Sequence, residues 1–180
     1  MRKTVVLIAL MVLTAMFASA GYAEVYLTRE KAIKLALPIS KEIVEEKLTL
    51  NKEQQERVRK KIGRKLKQEE YIFIVGKTDG KVDGYAIICN EIGKEMPITF
   101  IVGIKPDGKV RDVAIMVFRE SRGSEVKDKR FLTQYRNKKS SDQIAINKDI
   151  RHVTGATLSC IAVSNGVKKA LAVWEEFYGK

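Results

Sequence analysis

Between residues 71 and 118 the chain alternates short β-branched and aromatic runs with turn-formers, and this texture predicts strands over 71–75, 85–90, 98–104 and 110–118. Asp79-Gly80 and Asp107-Gly108, the second preceded by Pro106, supply the turns between them. Short links between consecutive strands make an antiparallel meander. In the last run Val113, Ile115 and Val117 point to one face and Ala114, Met116 and Phe118 to the other, so both faces of the sheet need cover. Ile144 and Ile146 suggest one more short strand, and residues 131–135 a short helix.

The hydrophobic period changes towards the C terminus. Leu158, Ile161, Val167, Leu171, Trp174 and Tyr178 recur at helical intervals, with no proline to interrupt them, and predict a long helix with a core-facing stripe. Residues 24–70 are charge-rich, poor in aromatics and read as helical. Thr28 can cap a first helix through Leu37; Pro38 interrupts it, and a second stretch carries on to about Lys47. Asn51 with Gln54 has the spacing of a capping box and starts a helix from Lys52 to about Lys67. The expected fold class is α+β: an antiparallel sheet of four to five strands packed with a C-terminal helix, preceded by an N-terminal helical extension.

Met1-Arg2-Lys3, an apolar stretch over 5–17 and two small-x-small patterns ending at Ala20 and Ala23 have the form of a cleavable signal peptide. The apolar stretch is short against the roughly 20 residues that span a bilayer. The expected organisation is therefore a signal peptide over 1–23, a helical extension over 24–70 and one domain over 71–180, exported to the periplasm or another extracytoplasmic space. Removing Arg2 and Lys3 takes the net charge from +12 to +10, a surplus that favours anionic partners such as a phosphate group, an acidic redox protein or a lipid surface. Export makes nucleic acid the least suitable of these.

Much of the surplus lies on the helix from Lys52, where Arg57, Arg59, Lys60, Lys61, Arg64, Lys65 and Lys67 surround a narrow apolar row of Val58, Ile62 and Leu66. Such a helix either packs its row on the domain and turns its charge to water, or makes peripheral contact with an anionic membrane or an acidic partner. Cys89 and Cys160 match no zinc or haem spacing, and a disulfide and two separate buried thiols are both compatible with export. With His152 as the one histidine, a protein-built transition-metal site is not expected.

The chemistry concentrates at Val153-Thr154-Gly155-Ala156-Thr157-Leu158-Ser159, where a hydroxyl, a sharp turn and small residues open the C-terminal helix. Read locally, this is a helix start capped by Thr or Ser with Gly relaxing the turn. Unpaired N–H groups at such a start also favour a phosphate.

The run resembles the [Ser/Thr]-Gly-Ala-Thr flavin-attachment motif of the FMN-binding domain family, which includes the periplasmic flavin-carrying subunits of the Rnf and sodium-translocating NADH:quinone reductase complexes. The likeness continues, in order, through 84–87, 97–104 and 107–110 as the family's sheet, and through 119–123 and 131–135 as its flavin-side loop and following helix. The resemblance implies FMN as cofactor, joined by phosphoester to Thr157. Thr154, Gly155, Ala156, Leu158 and Ser159 would stand around it, with Leu158 covering one face of the isoalloxazine and Ser159 donating to the phosphate. Glu120 and Ser121 match positions near the flavin; Glu120 could equally pair with Arg119 or Arg122 at the surface.

The resemblance further implies an electron-transfer carrier rather than a stand-alone enzyme, a membrane redox complex or an extracytoplasmic redox protein as partner, and a flavin transferase for maturation. One departure stands out: the Asp that the family carries six residues before the modified Thr is Arg151 here, with Asp149 two residues earlier. That departure leaves room for a noncovalent FMN-binding module or an assembly factor of a redox complex, and Arg151 could then pair with a free FMN phosphate.

Overall fold

The computed structural model describes residues 23–179, and the apolar stretch read as a signal peptide lies outside them. The chain forms strand β1 (Glu24–Val25), helix α1 (Arg29–Ala36), β2 (Glu42–Thr49), α2 (Lys52–Ile62), β3 (Glu70–Thr78), β4 (Lys81–Ile92), β5 (Pro97–Ile104), β6 (Val110–Phe118), the short α3 (Lys129–Leu132) and the long α4 (Thr157–Tyr178). The strands make one antiparallel sheet in the order β1-β6-β5-β4-β3-β2. The α+β class, the meander and the C-terminal helix are as expected, with six strands in place of four or five.

Local signals explain most of the element ends. Asp79 and Gly80, both at positive φ (52° and 75°), form the two-residue turn that joins β3 to β4. Thr28 accepts the Lys31 N–H at the start of α1, and Asn51 and Gln54 complete a reciprocal capping box at the start of α2. Gly63, left-handed at φ 69°, stops α2 at Ile62, short of the Lys67 expected from the charge run.

The helical extension expected over 24–70 needs correction. Residues 42–49 are not helix but β2, paired along its length with β3 from Glu42↔Lys77 to Thr49↔Glu70. Val44, Glu46 and Leu48 alternate towards the covered face and Ile43, Glu45 and Lys47 away from it. Glu46 hides this alternation in the sequence because its charge falls on the covered side, where it accepts from the Tyr178 hydroxyl at 2.7 Å. At the opposite edge β1 pairs with β6, so β1 and β2 frame the sheet instead of preceding it. The strand expected around Ile144 and Ile146 is a single parallel bridge, Ile146↔Ile150, outside the sheet.

Helices α4 and α2 cover one face of the sheet over a core that includes Phe73, Phe100, Ile115, Val163 and Leu171. The shorter α1 covers part of the other, packing Ala32, Ala36 and Leu37 on Ile74, Ala86 and Ile101. Gly103 permits that approach, since a Cβ there would lie 3.0 Å from the Ala36 carbonyl oxygen. The face pattern of β6 departs from strict alternation. Thr99 pairs with Val117 but Phe100 with Ile115, so Met116 is the extra residue of a bulge. The bulge brings Phe118 to the α4 side with Val113 and Ile115, and turns Val117 to the α1 side.

The apolar row of α2 packs on the domain, with Val58 fully buried. Its charges are partly spent on neighbours, Arg57 pairing with Glu176 and Lys61 with Glu175, and just past its end Arg64 pairs with Glu91. Cys89 and Cys160 are both free and buried, so of the two arrangements their spacing allowed, the fold adopts two separate thiols. No described helix is long and apolar enough to cross a membrane.

Candidate functional site

Residues 153–160 build the start of α4. The Ala156 N–H donates to the Val153 carbonyl at 3.1 Å, Gly155 turns the chain at φ 83°, and the Cys160 N–H returns to the Ala156 carbonyl at 2.8 Å. The Val153 N–H is directed at Cys160 Sγ, 3.5 Å away, so this thiol is a fixture of the turn. Burial raises the pKa of Cys160, which suits a packing role and not a nucleophilic one.

Thr and Ser were the expected caps, yet the N-cap is Ala156, which has no side-chain acceptor to offer. A helix of 22 residues therefore begins with its first N–H groups uncapped and its dipole uncompensated, since its first turn carries no acidic residue. Thr157 is the first helical residue and is exposed. Its hydroxyl makes no hydrogen bond among the described residues. Thr154 and Gly155 are exposed beside it, and the space where a Gly155 Cβ would point is open to at least 4 Å.

The remaining site residues divide. Leu158 is 51 % exposed and Ile161 39 %, so both leave the core-facing stripe assigned to them and form an apolar step next to the Thr157 hydroxyl. Ser159 turns inward at 4 % exposure, as does Ala156 at 2 %, so Ser159 faces the protein rather than a phosphate at Thr157. What Ser159 meets is Gly123, at the end of the Arg119–Gly123 loop: a Cβ on Gly123 would come within 2.6 Å of Ser159 Oγ and 3.5 Å of the Ala156 Cα. The flavin-side loop expected from the sequence is thus seated against the start of α4.

Within that loop Ser121 is exposed and Glu120 half-buried. Glu120 pairs with neither Arg119 nor Arg122; its Oε1 accepts the backbone N–H groups of Glu95 at 2.8 Å and Met96 at 3.0 Å, tying the loop to the β4–β5 hairpin. Arg119 reinforces the tie through the Pro97 carbonyl and Thr99 Oγ1.

Two grooves flank the helix start. One, of 530 Å³, is lined by Thr154 together with Arg130, Arg151 and His152. The other, of 350 Å³, is lined by Thr157, Ile161 and Lys168 of α4 facing residues 143–147. Arg151 is held at its backbone by Gln134, which accepts its N–H at 2.8 Å and donates to its carbonyl at 3.0 Å, while the guanidinium has no carboxylate partner among the described residues. His152 Nδ1 lies 3.0 Å from Asn147 Oδ1, a structural bond.

Sequence reasoning missed Glu91. Its carboxylate, on β4 under Gly166 of α4, bonds Lys169 at 2.5 Å and Arg64 at 3.2 Å and ties α4 and the segment that follows α2 to the sheet. An isolated Glu near the end of a strand gives no signal for this.

An uncapped helix start, a free hydroxyl on its first residue, an exposed apolar step and cationic neighbours, set in an α+β domain, fit a phosphate-bearing planar cofactor. Residues 93–172 match the profile described as the FMN-binding domain. The match runs from the β4–β5 hairpin through the Glu120 loop and the Thr157 motif into α4, and it bears out FMN as the cofactor.

Among curated proteins the chain is 32 % identical over 107 residues to a subunit of the proton-translocating ferredoxin:NAD(+) oxidoreductase complex of Clostridium ljungdahlii, covering 55 % of this chain and 57 % of that protein. It is 24 % identical over 130 residues to a subunit of the Na(+)-translocating ferredoxin:NAD(+) oxidoreductase complex of Acetobacterium woodii, covering 67 % and 63 %. The chain thus spans about three fifths of the length of these relatives. The crystal structure of Shewanella oneidensis NqrC superposes with a TM-score of 0.58 over 84 % of this chain and 94 % of that one. At 14 % identity that likeness is one of fold.

Proposed function

We propose that this chain is an exported flavoprotein that holds FMN at the start of α4, joined by phosphoester to Thr157, and carries electrons within a membrane redox complex. The observation that carries the reading is the exposed, unbonded Thr157 hydroxyl at a helix start with no side-chain cap, inside the segment that matches the FMN-binding domain. A bound FMN supplies reversible electron exchange at its isoalloxazine. The chain's own residues supply the seat. First-turn N–H groups and the α4 dipole favour the phosphate, Gly155 lets it approach the backbone, and Leu158 shields one face of the ring.

Membership of a complex rests on the two relatives, whose names describe subunits of ferredoxin:NAD(+) oxidoreductase complexes. Export, and with it a periplasmic or equivalent location, rests on the pattern of residues 1–23. Covalent attachment would require a flavin transferase and would keep the cofactor from diffusing away outside the cytoplasm. A noncovalent module is the second reading, favoured by Arg151 at the place of the family's Asp and by its unpaired guanidinium near the helix start.

Purified protein from a host that makes FMN and a flavin transferase tests both. Yellow colour that survives denaturation and gel filtration supports the covalent form, colour lost on denaturation supports the noncovalent one, and colourless protein rejects both.

A further inference from the structure

The wall that faces Thr157 across the smaller groove has an unusual backbone. Ile144 adopts φ 46°, a left-handed conformation that β-branched residues rarely take, with its side chain 2 % exposed. Asn147 is left-handed as well, at φ 62°. The carboxylate of Asp149 holds this geometry together. It accepts the Ile144 N–H at 3.1 Å and the Ala145 N–H at 2.9 Å, and takes the Lys138 ammonium at 2.8 Å. Consecutive N–H groups that converge in this way form a nest for an anion, and here the chain supplies the anion itself. The loop closes behind it: the Asn147 N–H donates to the Ile150 carbonyl at 2.9 Å and the Ile150 N–H to the Ala145 carbonyl at 3.2 Å. The Asn147 side chain then ties the loop to His152, two residues before the Thr154-Gly155 turn.

We infer that Asp149 is a positioning residue for the FMN seat: by filling the Ile144–Ala145 nest it fixes the groove wall opposite Thr157 and the path of the chain into the turn that presents the Thr157 hydroxyl. The inference rests on the reading of Thr157 as the FMN seat.

The test compares the full chain with Asp149→Ala, Asp149→Asn and Lys138→Met. Amide hydrogen exchange at Ile144 and Ala145, FMN affinity by quenching of flavin fluorescence, and circular dichroism are measured on each. In Asp149→Ala, with circular dichroism unchanged, exchange at both amides should quicken at least about tenfold. FMN affinity should fall at least about tenfold, the scale of losing a group that orients a binding residue. Asp149→Asn, which keeps one carbonyl acceptor, should recover most of the affinity. Unchanged exchange in Asp149→Ala would show that the carboxylate does not hold the loop; faster exchange with unchanged affinity would show that the loop does not position the seat. Either result overturns the inference. Should Asp149→Ala not fold, Lys138→Met decides, because it removes the charged partner and leaves both backbone bonds: weakened FMN binding supports the role and unaltered binding overturns it. A wild-type chain that takes up no FMN refutes the underlying reading instead, and the exchange measurement still decides whether Asp149 holds the loop.

Discussion

Gly123 and Ser159 stand face to face, so close that a single added carbon on Gly123 would lie 2.6 Å from the Ser159 hydroxyl oxygen. Gly123 also has φ 88°, where an L side chain is strained. Gly123→Ala should therefore cost about 1–3 kcal/mol through strain alone, and should loosen the Glu120 loop from α4. Thermal unfolding and FMN affinity followed together check this; the expected result is a lower melting temperature with weaker flavin binding. Ser159→Gly in the same chain should relieve the clash but not the backbone strain, giving partial recovery.

The buried carboxylate of Glu91 is expected to matter more to stability than any exposed pair. Its side chain is 8 % exposed, and Lys169 and Arg64 face it at 15 % and 31 %. Glu91→Ala leaves two cations facing each other without their anion and should cost about 3 kcal/mol, the lower end for a broken buried pair because Arg64 is partly solvated. Urea denaturation measures it. A loss no larger than that of the exposed Arg29–Glu45 pair, broken by Glu45→Ala, would show that the cluster is not structural.

Cysteine chemistry gives an independent check on the core. Burial pushes the Cys89 thiol up to about 12 and raises that of Cys160, so neither is a thiolate at neutral pH. Native protein should resist alkylation and accept two alkyl groups only after denaturation, without reductant. Two groups accepted only after reduction would reveal a disulfide and contradict the packing described.

Acid should loosen the loop before the motif. Burial alone would raise the Asp149 pKa, but the Lys138 ammonium and the Ala145 and Ile144 N–H groups outweigh it and hold the carboxyl below its ordinary 3.8. A carboxyl depressed in the folded state contributes stability that is complete above the unfolded value and is lost as pH falls through the folded one. Protection of the Ala145 amide, its exchange rate corrected for the intrinsic pH dependence, should therefore stay high at neutral pH and fall only below about pH 4. Lys138→Met should shift that fall to higher pH; an identical acid profile in the variant would remove Lys138 from the clamp.

Those parts of the fold whose pattern is local were legible in the sequence. The capping box at Asn51, the Asp79-Gly80 turn and the β-branched runs each name their own structure, and the meander follows from their spacing. β2 reads as helix because its period-2 pattern is broken by Glu46, a charge whose partner, the Tyr178 hydroxyl, lies 132 residues away. The bulge at Met116 leaves no mark in the sequence, yet it decides which way Phe118 faces. At the site, the Thr157 motif was legible through its resemblance to a family, and the inward turn of Ser159 was not, because it depends on where Gly123 arrives. Leu158 and Ile161 fit a helical stripe equally well whether buried or exposed, and only the assembled fold leaves both outside the core.

Intact-mass analysis of the protein co-produced with a flavin transferase tests the Thr157 seat most directly, with Thr157→Val measured alongside. Thr157 is exposed and unbonded, so the variant should keep the wild-type fold. Wild type should gain the mass of one FMN less water, mapped by fragmentation to the peptide containing Thr157, and Thr157→Val should gain nothing. An adduct of the same size in the variant, or a wild-type chain that binds no FMN in any form, would contradict the assignment.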